Sequence, residues 1–356
     1  MSETIWENTL SFGKLRLMRQ MKFNPLEDIK PSFEGRIILI TGASDGIGLQ
    51  AAIKFAGLGA QKVILGVRSL SKGEEAVQTI ERESGVHGIC EVWPLDLLQY
   101  DSILSFVQKV EDEVERLDIA IMNAGVFSSN DEVSVDGLEL DIQVNVVSTI
   151  LLSILLLPKM LKNRRKDFTP VLEIISSMNS TQFSALAPDG MKDSEGILKW
   201  YSQPSQFDKI RQYPLSKLFL EFCHSELSKL VLDNSTGQPL VRIPSVCPGP
   251  TKSALARNLP LHLQVASWIF GLLIQQEAEQ GARSYIHGIG LGPEAHGKLF
   301  SRLEITSPRL KDDQDAEARR KVWEETRAIF DSHPDVAIRV QRAFADIEFM
   351  RRPQRV

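Results

Sequence analysis

Residues 36–59 read RIILITGASDGIGLQAAIKFAGLG: an apolar run, a turn holding three glycines, then a helical apolar period. A strand that passes through so short a turn into a helix needs a crossover, and a strand reached by a crossover lies parallel to the first. The same alternation continues downstream. Strands are predicted over 36–41, 62–67, 89–95, 118–125 (with its turn) and 170–176, at the start of 241–249, and near 297–300. Helices are predicted over 47–59, 72–84, 100–117, 137–163 and 213–232. Strands that are apolar almost throughout must be covered on both faces, which is the pattern of a parallel sheet with helices on each side.

The expected fold is therefore α/β, a doubly wound parallel sheet of the Rossmann type in a single domain over 36–301. Residues 1–35 form a preceding N-terminal arm. Residues 302–356 form a charged, mostly helical C-terminal extension whose basic end, RRPQRV, is expected to be solvated. The 356 residues, 43% of them hydrophobic, suffice for one large domain of this kind. Three cysteines make no disulfide framework and suit a reducing, cytoplasmic compartment. The six histidines show no metal-ligand spacing, so no metal is expected. A net charge of -5 argues against nucleic acid as a partner. The N-terminus lacks the uninterrupted apolar core of a signal peptide. Its Trp6, Leu10, Phe12, Leu15 and Leu17 make a short amphipathic turn expected to dock on the protein itself in preference to a membrane. The run VVSTILLSILLLP at 146–158 is shorter than the ~20 residues a bilayer span needs, and is read as a helix buried against the sheet.

The glycine turn, TGASDGIG, places Gly42, Gly46 and Gly48 between the first strand and its helix. Glycine lets the backbone turn sharply and approach a pyrophosphate, and the helix offers free N–H groups and the positive end of its dipole. The spacing is G-x-x-x-G-x-G. With its leading threonine it resembles that of the short-chain dehydrogenase/reductase family, and the resemblance extends over most of 36–300. LDL at 95–97 follows the third strand and NAG at 123–125 the fourth. Asn145 lies in the long helix, a serine pair closes the fifth strand, Y-x-x-x-K begins at Tyr213, and PGPT occupies 248–251. The insert described below is similar to those of the retinol dehydrogenase-like branch and of fungal reductases.

The resemblance implies a nicotinamide cofactor along Thr41, Gly42, Ser44, Asp45, Gly46, Ile47 and Gly48. It adds Asp96, as acceptor for the adenine amino group, with Leu97, then Asn123, Ala124 and Gly125. Pro248, Gly249 and Thr251 complete the set, with Tyr213 and Lys217 at the reacting end. At the end of the second strand, Val67 stands where a ribose-binding acid belongs, followed by Arg68 and Ser69 with Lys72 near. A guanidinium pairs bidentately with phosphate, so the expected cofactor is NADP(H). Asp45 puts a negative charge in the phosphate turn, or caps the helix that follows.

Tyr213 and Lys217 share a helix face one turn apart. A phenol titrates near ~10, and the expectation is that the ammonium lowers this value. The resemblance implies that Tyr213 gives its proton to a carbonyl oxygen held by Ser177. Asn145 then keeps a water chain running from Lys217 to solvent. Tyr201 is the rival tyrosine, but Ser205 stands where its lysine would be. Ser176 is the rival serine, set on the opposite face of the strand.

Thirty-five residues, 178–212, separate Ser177 from Tyr213, and they include Phe183, Trp200, Tyr201 and Phe207. This insert is expected to wall a pocket for a bulky apolar carbonyl or alcohol. The region 250–285, with the apolar stretch 259–274 carrying Trp268 and Phe270, is expected to act as a lid; membrane-surface contact is the competing reading. The expected protein is a soluble NADPH-dependent ketoreductase acting on a hydrophobic small molecule of the secondary-metabolite kind, or catalysing the reverse alcohol oxidation, as a monomer or homodimer. A redox regulator that binds NADP(H) without turnover, and a dehydratase or epimerase on the same scaffold, are the alternatives.

Overall fold

The computed structural model describes residue 19 and residues 22–352 apart from 129, 163, 166, 179, 181–195, 253–273, 303 and 307–312. The amphipathic N-terminal turn, Phe183, Trp268 and Phe270 thus lie outside the described residues.

Strand β1 (Ile37–Thr41) leads through the glycine turn into α1 (Gly46–Gly57), and the alternation continues with β2 (Lys62–Val67), α2 (Leu70–Ser84), β3 (Cys90–Pro94), α3 (Tyr100–Glu113) and β4 (Ile119–Met122). A long helix, α4 (Leu140–Lys162), precedes β5 (Val171–Ile175). Then come a short α5 (Ile197–Tyr201), α6 (Gln212–Lys229), β6 (Ser245–Val246), α7 (Ala278–Gly290) and β7 (Leu299–Ser301). The sheet order is β3-β2-β1-β4-β5-β6-β7, all parallel. That is the doubly wound order the alternation predicts: the chain winds outward from β1 in one direction, then from β4 in the other. One strand was not foreseen. β8 (Glu304–Thr306) pairs antiparallel with β7, its Ile305 opposite Phe300.

Apolar side chains fill a layer on each face of the sheet. One is built on α3, α4 and α6 around Phe106, Leu151 and Phe219, the other on α1, α2 and α7 around Phe55, Ile80 and Ile286. The helix α4 is long and apolar enough to cross a membrane, but it lies almost wholly inside the protein, as the sequence reading expects of 146–158. It is not a uniform α-helix. Gln143–Ser148 form a π-helical turn, and Thr149 Oγ1 reaches back to the Val144 carbonyl at 2.8 Å.

The charged C-terminal segment is not a loose tail. Helices α8 (Asp313–Asp331) and α9 (Pro334–Arg351) pack on α6 and α4. Val322, Phe330, Val340 and Ile347 are all buried there. Each such side chain contributes about 2 kcal/mol by leaving water, so these helices belong to the core. Arg351, expected in solvent, donates from Nε to the Leu232 carbonyl at 2.6 Å.

Candidate active site

The carboxyl ends of β1, β4, β5 and β6 open into one cleft of about 700 Å3. Its floor is set by β1 and β4. Asn123 Nδ2 donates to the carbonyls of Thr41 (2.8 Å) and Gly42 (3.1 Å), and Thr41 Oγ1 accepts from Ala124 N at 2.9 Å. Two glycines are required by this closeness. Gly42 has φ +67°, and a Cβ there would stand 2.9 Å from Ala124 Cα; a Cβ on Gly48 would stand 2.5 Å from Asn123 Nδ2. Asp45 accepts from Gly46 N at 2.6 Å as the N-cap of α1, so the capping role read from sequence is real. Ser44, Gly46 and Ile47 line the same mouth, where the first N–H groups of α1 face the cleft.

At the end of β2, Val67 is buried and Arg68 exposed on the rim beside Ser69 and Lys72. Ser69 caps α2. Asp96 and Leu97 border the cleft beyond β3, and one Asp96 carboxylate oxygen already accepts from Leu98 N at 3.0 Å. Pro248, Gly249 and Thr251 form the opposite lip; Gly249 has φ +80°, and Thr251 Oγ1 donates to the Gly249 carbonyl at 3.1 Å.

Tyr213 sits in the first turn of α6, its ring tilted against Phe127 with centroids 5.5 Å apart. Lys217 Nζ lies 5.8 Å from the Tyr213 ring centroid and donates to the Ile175 carbonyl at 2.9 Å. Asn145 is buried in the π-helical turn. Its Oδ1 accepts from Val126 N (2.9 Å), and its Nδ2 donates to Val126 O and Ser216 Oγ (3.0 Å each). Gly125 makes room for the meeting: a Cβ there would stand 3.0 Å from Asn145 Oδ1 and 3.8 Å from Lys217 Nζ. Ser176 and Ser177 both reach the cleft. Ser176 is the more buried, with its hydroxyl toward Glu221. Tyr201, the rival tyrosine, is buried on α5 against Phe219 and is not among the residues lining this cleft.

The electrostatics depart from the expectation. Burial pushes the Tyr213 phenol well above its ordinary range, with the Cys247 thiol and Asp141 acting in the same direction. Burial also pulls Lys217 down to about 8, opposed by Asp141 and Glu221. Loss of water around the pair therefore outweighs the help that an ammonium gives a phenolate. The phenol is protonated at neutral pH, and Lys217, at about 8, is still largely an ammonium there.

Some site residues carry no local signature. Tyr285 on α7 donates its hydroxyl to Asn123 Oδ1 at 2.7 Å, locking the amide that holds the glycine turn. Glu221, one turn beyond Lys217, accepts from Ser245 Oγ and faces His224 Nδ1 at 3.5 Å. Burial acts to raise the Glu221 pKa, but His224, Ser176 and Ser245 together hold it below its usual value.

The family model for short chain dehydrogenases matches residues 36–187. The short-chain dehydrogenase/reductase phmF of Phaeosphaeria nodorum is 34% identical over 311 residues, 86% of this chain and 90% of the relative. The short-chain dehydrogenase/reductase ffsI of Aspergillus flavipes is 31% identical over 306 residues, 85% of this chain and 88% of the relative. Among solved structures, L-sorbose reductase of Gluconobacter frateurii, complexed with NADPH and L-sorbose, superposes with a TM-score of 0.56 at 17% identity. The match covers 76% of this chain and 96% of that one, and at that identity the likeness is one of fold. The sheet, the glycine turn and the cleft define a doubly wound α/β protein, and the family match makes it an oxidoreductase. The chain belongs to the short-chain dehydrogenase/reductase family.

Proposed function

We infer that this oxidoreductase reduces a ketone or aldehyde on a bulky, hydrophobic small molecule with NADPH. The observation that carries the reading is that Tyr213 and Lys217 open into the same cleft as the glycine turn and the Arg68 rim. The residues present fit a dinucleotide: α1 offers its free N–H groups, and Arg68 with Lys72 offers cations where a 2′-phosphate belongs. When bound, NADPH supplies the hydride for the carbonyl carbon. Tyr213 donates the phenolic proton to the carbonyl oxygen, Ser177 holds that oxygen by a hydrogen bond, and Lys217 anchors the ribose and faces the phenol. Asn145 fixes the Val126 peptide that walls this end of the cleft. A protonated phenol is the acid that reduction needs, and the same groups run alcohol oxidation in reverse.

The substrate side is assigned to the insert 178–212 and the region 250–285, with a large apolar substrate of the polyketide or terpenoid type. Of the described insert residues, Trp200 and Tyr201 on α5 pack toward α8 and the core and do not line the cleft, contrary to the wall expected of them. The helices α8 and α9 cover α6 and α4, which supports a monomer, checked by light scattering after size exclusion.

The test is NADPH oxidation followed by absorbance across a panel of bulky ketones. Tyr213→Phe abolishes turnover and leaves NADPH binding nearly intact; normal turnover by that variant removes the assignment. A redox regulator would bind NADPH and oxidise it with no ketone in the panel. A dehydratase or epimerase would convert substrate with no net NADPH loss.

A further inference from the structure

The ladder between β5 and β6 advances two residues at a time on each strand. Leu172 N donates to the Arg242 carbonyl (2.9 Å), Ile174 N to the Pro244 carbonyl (3.0 Å) and Ser176 N to the Val246 carbonyl (2.8 Å). Parallel pairing calls next for Met178 N on the Pro248 carbonyl. The strands depart from that progression. The Pro248 carbonyl is taken by Gln276 Nε2, from a side chain buried at 5% exposure. Met178 N donates to Cys247 Sγ at 3.2 Å, and the same sulfur accepts from Gly249 N at 3.4 Å. Here the two strands part and the cleft opens, lined by Ser176 and Ser177 on one side and by Cys247, Pro248 and Gly249 on the other.

Ser177 thus sits between two bonds to β6. Before it comes the last backbone rung, at Ser176 N; after it comes the sulfur bond, at Met178 N. A thiol sulfur accepts hydrogen bonds weakly. This one takes two backbone N–H groups, one from each side of the cleft mouth, and Cys247 is buried enough to shield it from competing water.

We propose that the Cys247 side chain is a substitute rung. With Gln276 holding the Pro248 carbonyl aside, it ties the chain after Ser177 to the Gly249 lip, and so fixes where the Ser177 hydroxyl stands in the open cleft. Cys247 is thereby a positioning residue for Ser177. The catalytic consequence rests on the reductase reading; the sulfur rung does not.

Three variants separate the acceptor from the space it fills. Cys247→Ser keeps an acceptor. Cys247→Ala removes it and leaves less volume; Cys247→Val removes it and adds volume. Amide hydrogen exchange at Met178 and Gly249, read by mass spectrometry without cofactor or substrate, speeds up by about five- to tenfold in the Ala and Val variants and stays close to wild type in the Ser variant. The kcat of NADPH-dependent ketone reduction, measured well below the thermal transition, falls by about the same factor in Ala and Val and recovers in Ser. Exchange in Cys247→Ala that superimposes on the wild type overturns the proposal, and so does a Ser variant no better than Ala. If the Val variant does not fold, Ala and Ser decide. Faster exchange with an unchanged kcat in a working reductase leaves Ser177 without need of the rung and overturns the positioning role. Faster exchange in Ala, reversed in Ser, in a protein that reduces no ketone leaves the rung standing and removes the reductase reading instead.

Discussion

Asn145→Ala isolates what the π-helical turn contributes. The side chain makes three hydrogen bonds, to Val126 N, Val126 O and Ser216 Oγ, all between 2.9 and 3.0 Å. Each is worth about 1 kcal/mol net, and partners left bare add to the loss, so truncation costs about 3 kcal/mol. For a domain of this size a loss of 1 kcal/mol lowers the melting temperature by roughly 2 °C, which makes the expected drop about 6 °C for the three bonds together. The assay is a thermal melt by circular dichroism at pH 7, paired with turnover measured well below the transition. Turnover falls too, because the Val126 peptide borders the cleft and loses both its anchors. Asn145→Asp sharpens the comparison. It keeps the acceptor for Val126 N and loses both donors. A melt of Asn145→Ala within about 1 °C of the wild type, against the loss expected from three bonds, refutes the reasoning; packing alone would then hold the turn.

Three further outcomes are expected. Gly48→Ala drives a Cβ to 2.5 Å from Asn123 Nδ2 and 2.8 Å from the Gly42 carbonyl. It should destabilise the fold by about 1–3 kcal/mol and weaken NADPH binding by about tenfold or more, because the anion-binding backbone must move; calorimetric titration checks the second effect. Arg68→Asp moves preference from NADPH toward NADH, read as the ratio of kcat/KM for the two cofactors, and an unchanged ratio removes Arg68 from the phosphate site. His296 is half-buried, accepts from Ile243 N at 3.1 Å and pairs through Nε2 with the Ser228 carbonyl at 3.0 Å. Burial pulls its pKa from 6.5 down to about 4. The unfolded chain therefore binds a proton between those values that the folded one does not. This stability is complete above pH 6.5 and is lost as pH falls toward 4, by about 2 kcal/mol after allowance for residual exposure. Urea titrations at pH 7 and pH 4.5 should show the loss, and His296→Asn should flatten it.

The parts of the fold and site that were legible in the sequence are those fixed by near neighbours. A strand, a glycine turn and a helix form one continuous stretch at Ile37–Gly57, and Tyr213 and Lys217 are one turn apart on one helix. Tyr201 was set aside for want of a lysine, and it does lie outside the cleft. Less legible was whatever depends on distant packing. The register of β8 is set by β7, which three residues of unremarkable pattern could not announce. The C-terminal helices carry enough charge to read as solvated, and only the apolar faces of α4 and α6 give Phe330 and Val340 a place to bury. Tyr285 meets Asn123 across 162 positions of sequence.

The phenol shows the same limit in energetic form. Spacing identifies one neighbour, the Lys217 ammonium, and one neighbour argues for a lowered phenol pKa. The titration of a buried group sums over everything packed around it. Here the loss of water, the Cys247 thiol and the Asp141 carboxyl all push the phenol the other way, and burial weakens the ammonium as well. Of these, only the identity of Lys217 can be read from the motif. The charge state of the pair is a property of the closed sheet and of the acids that α4 brings behind it.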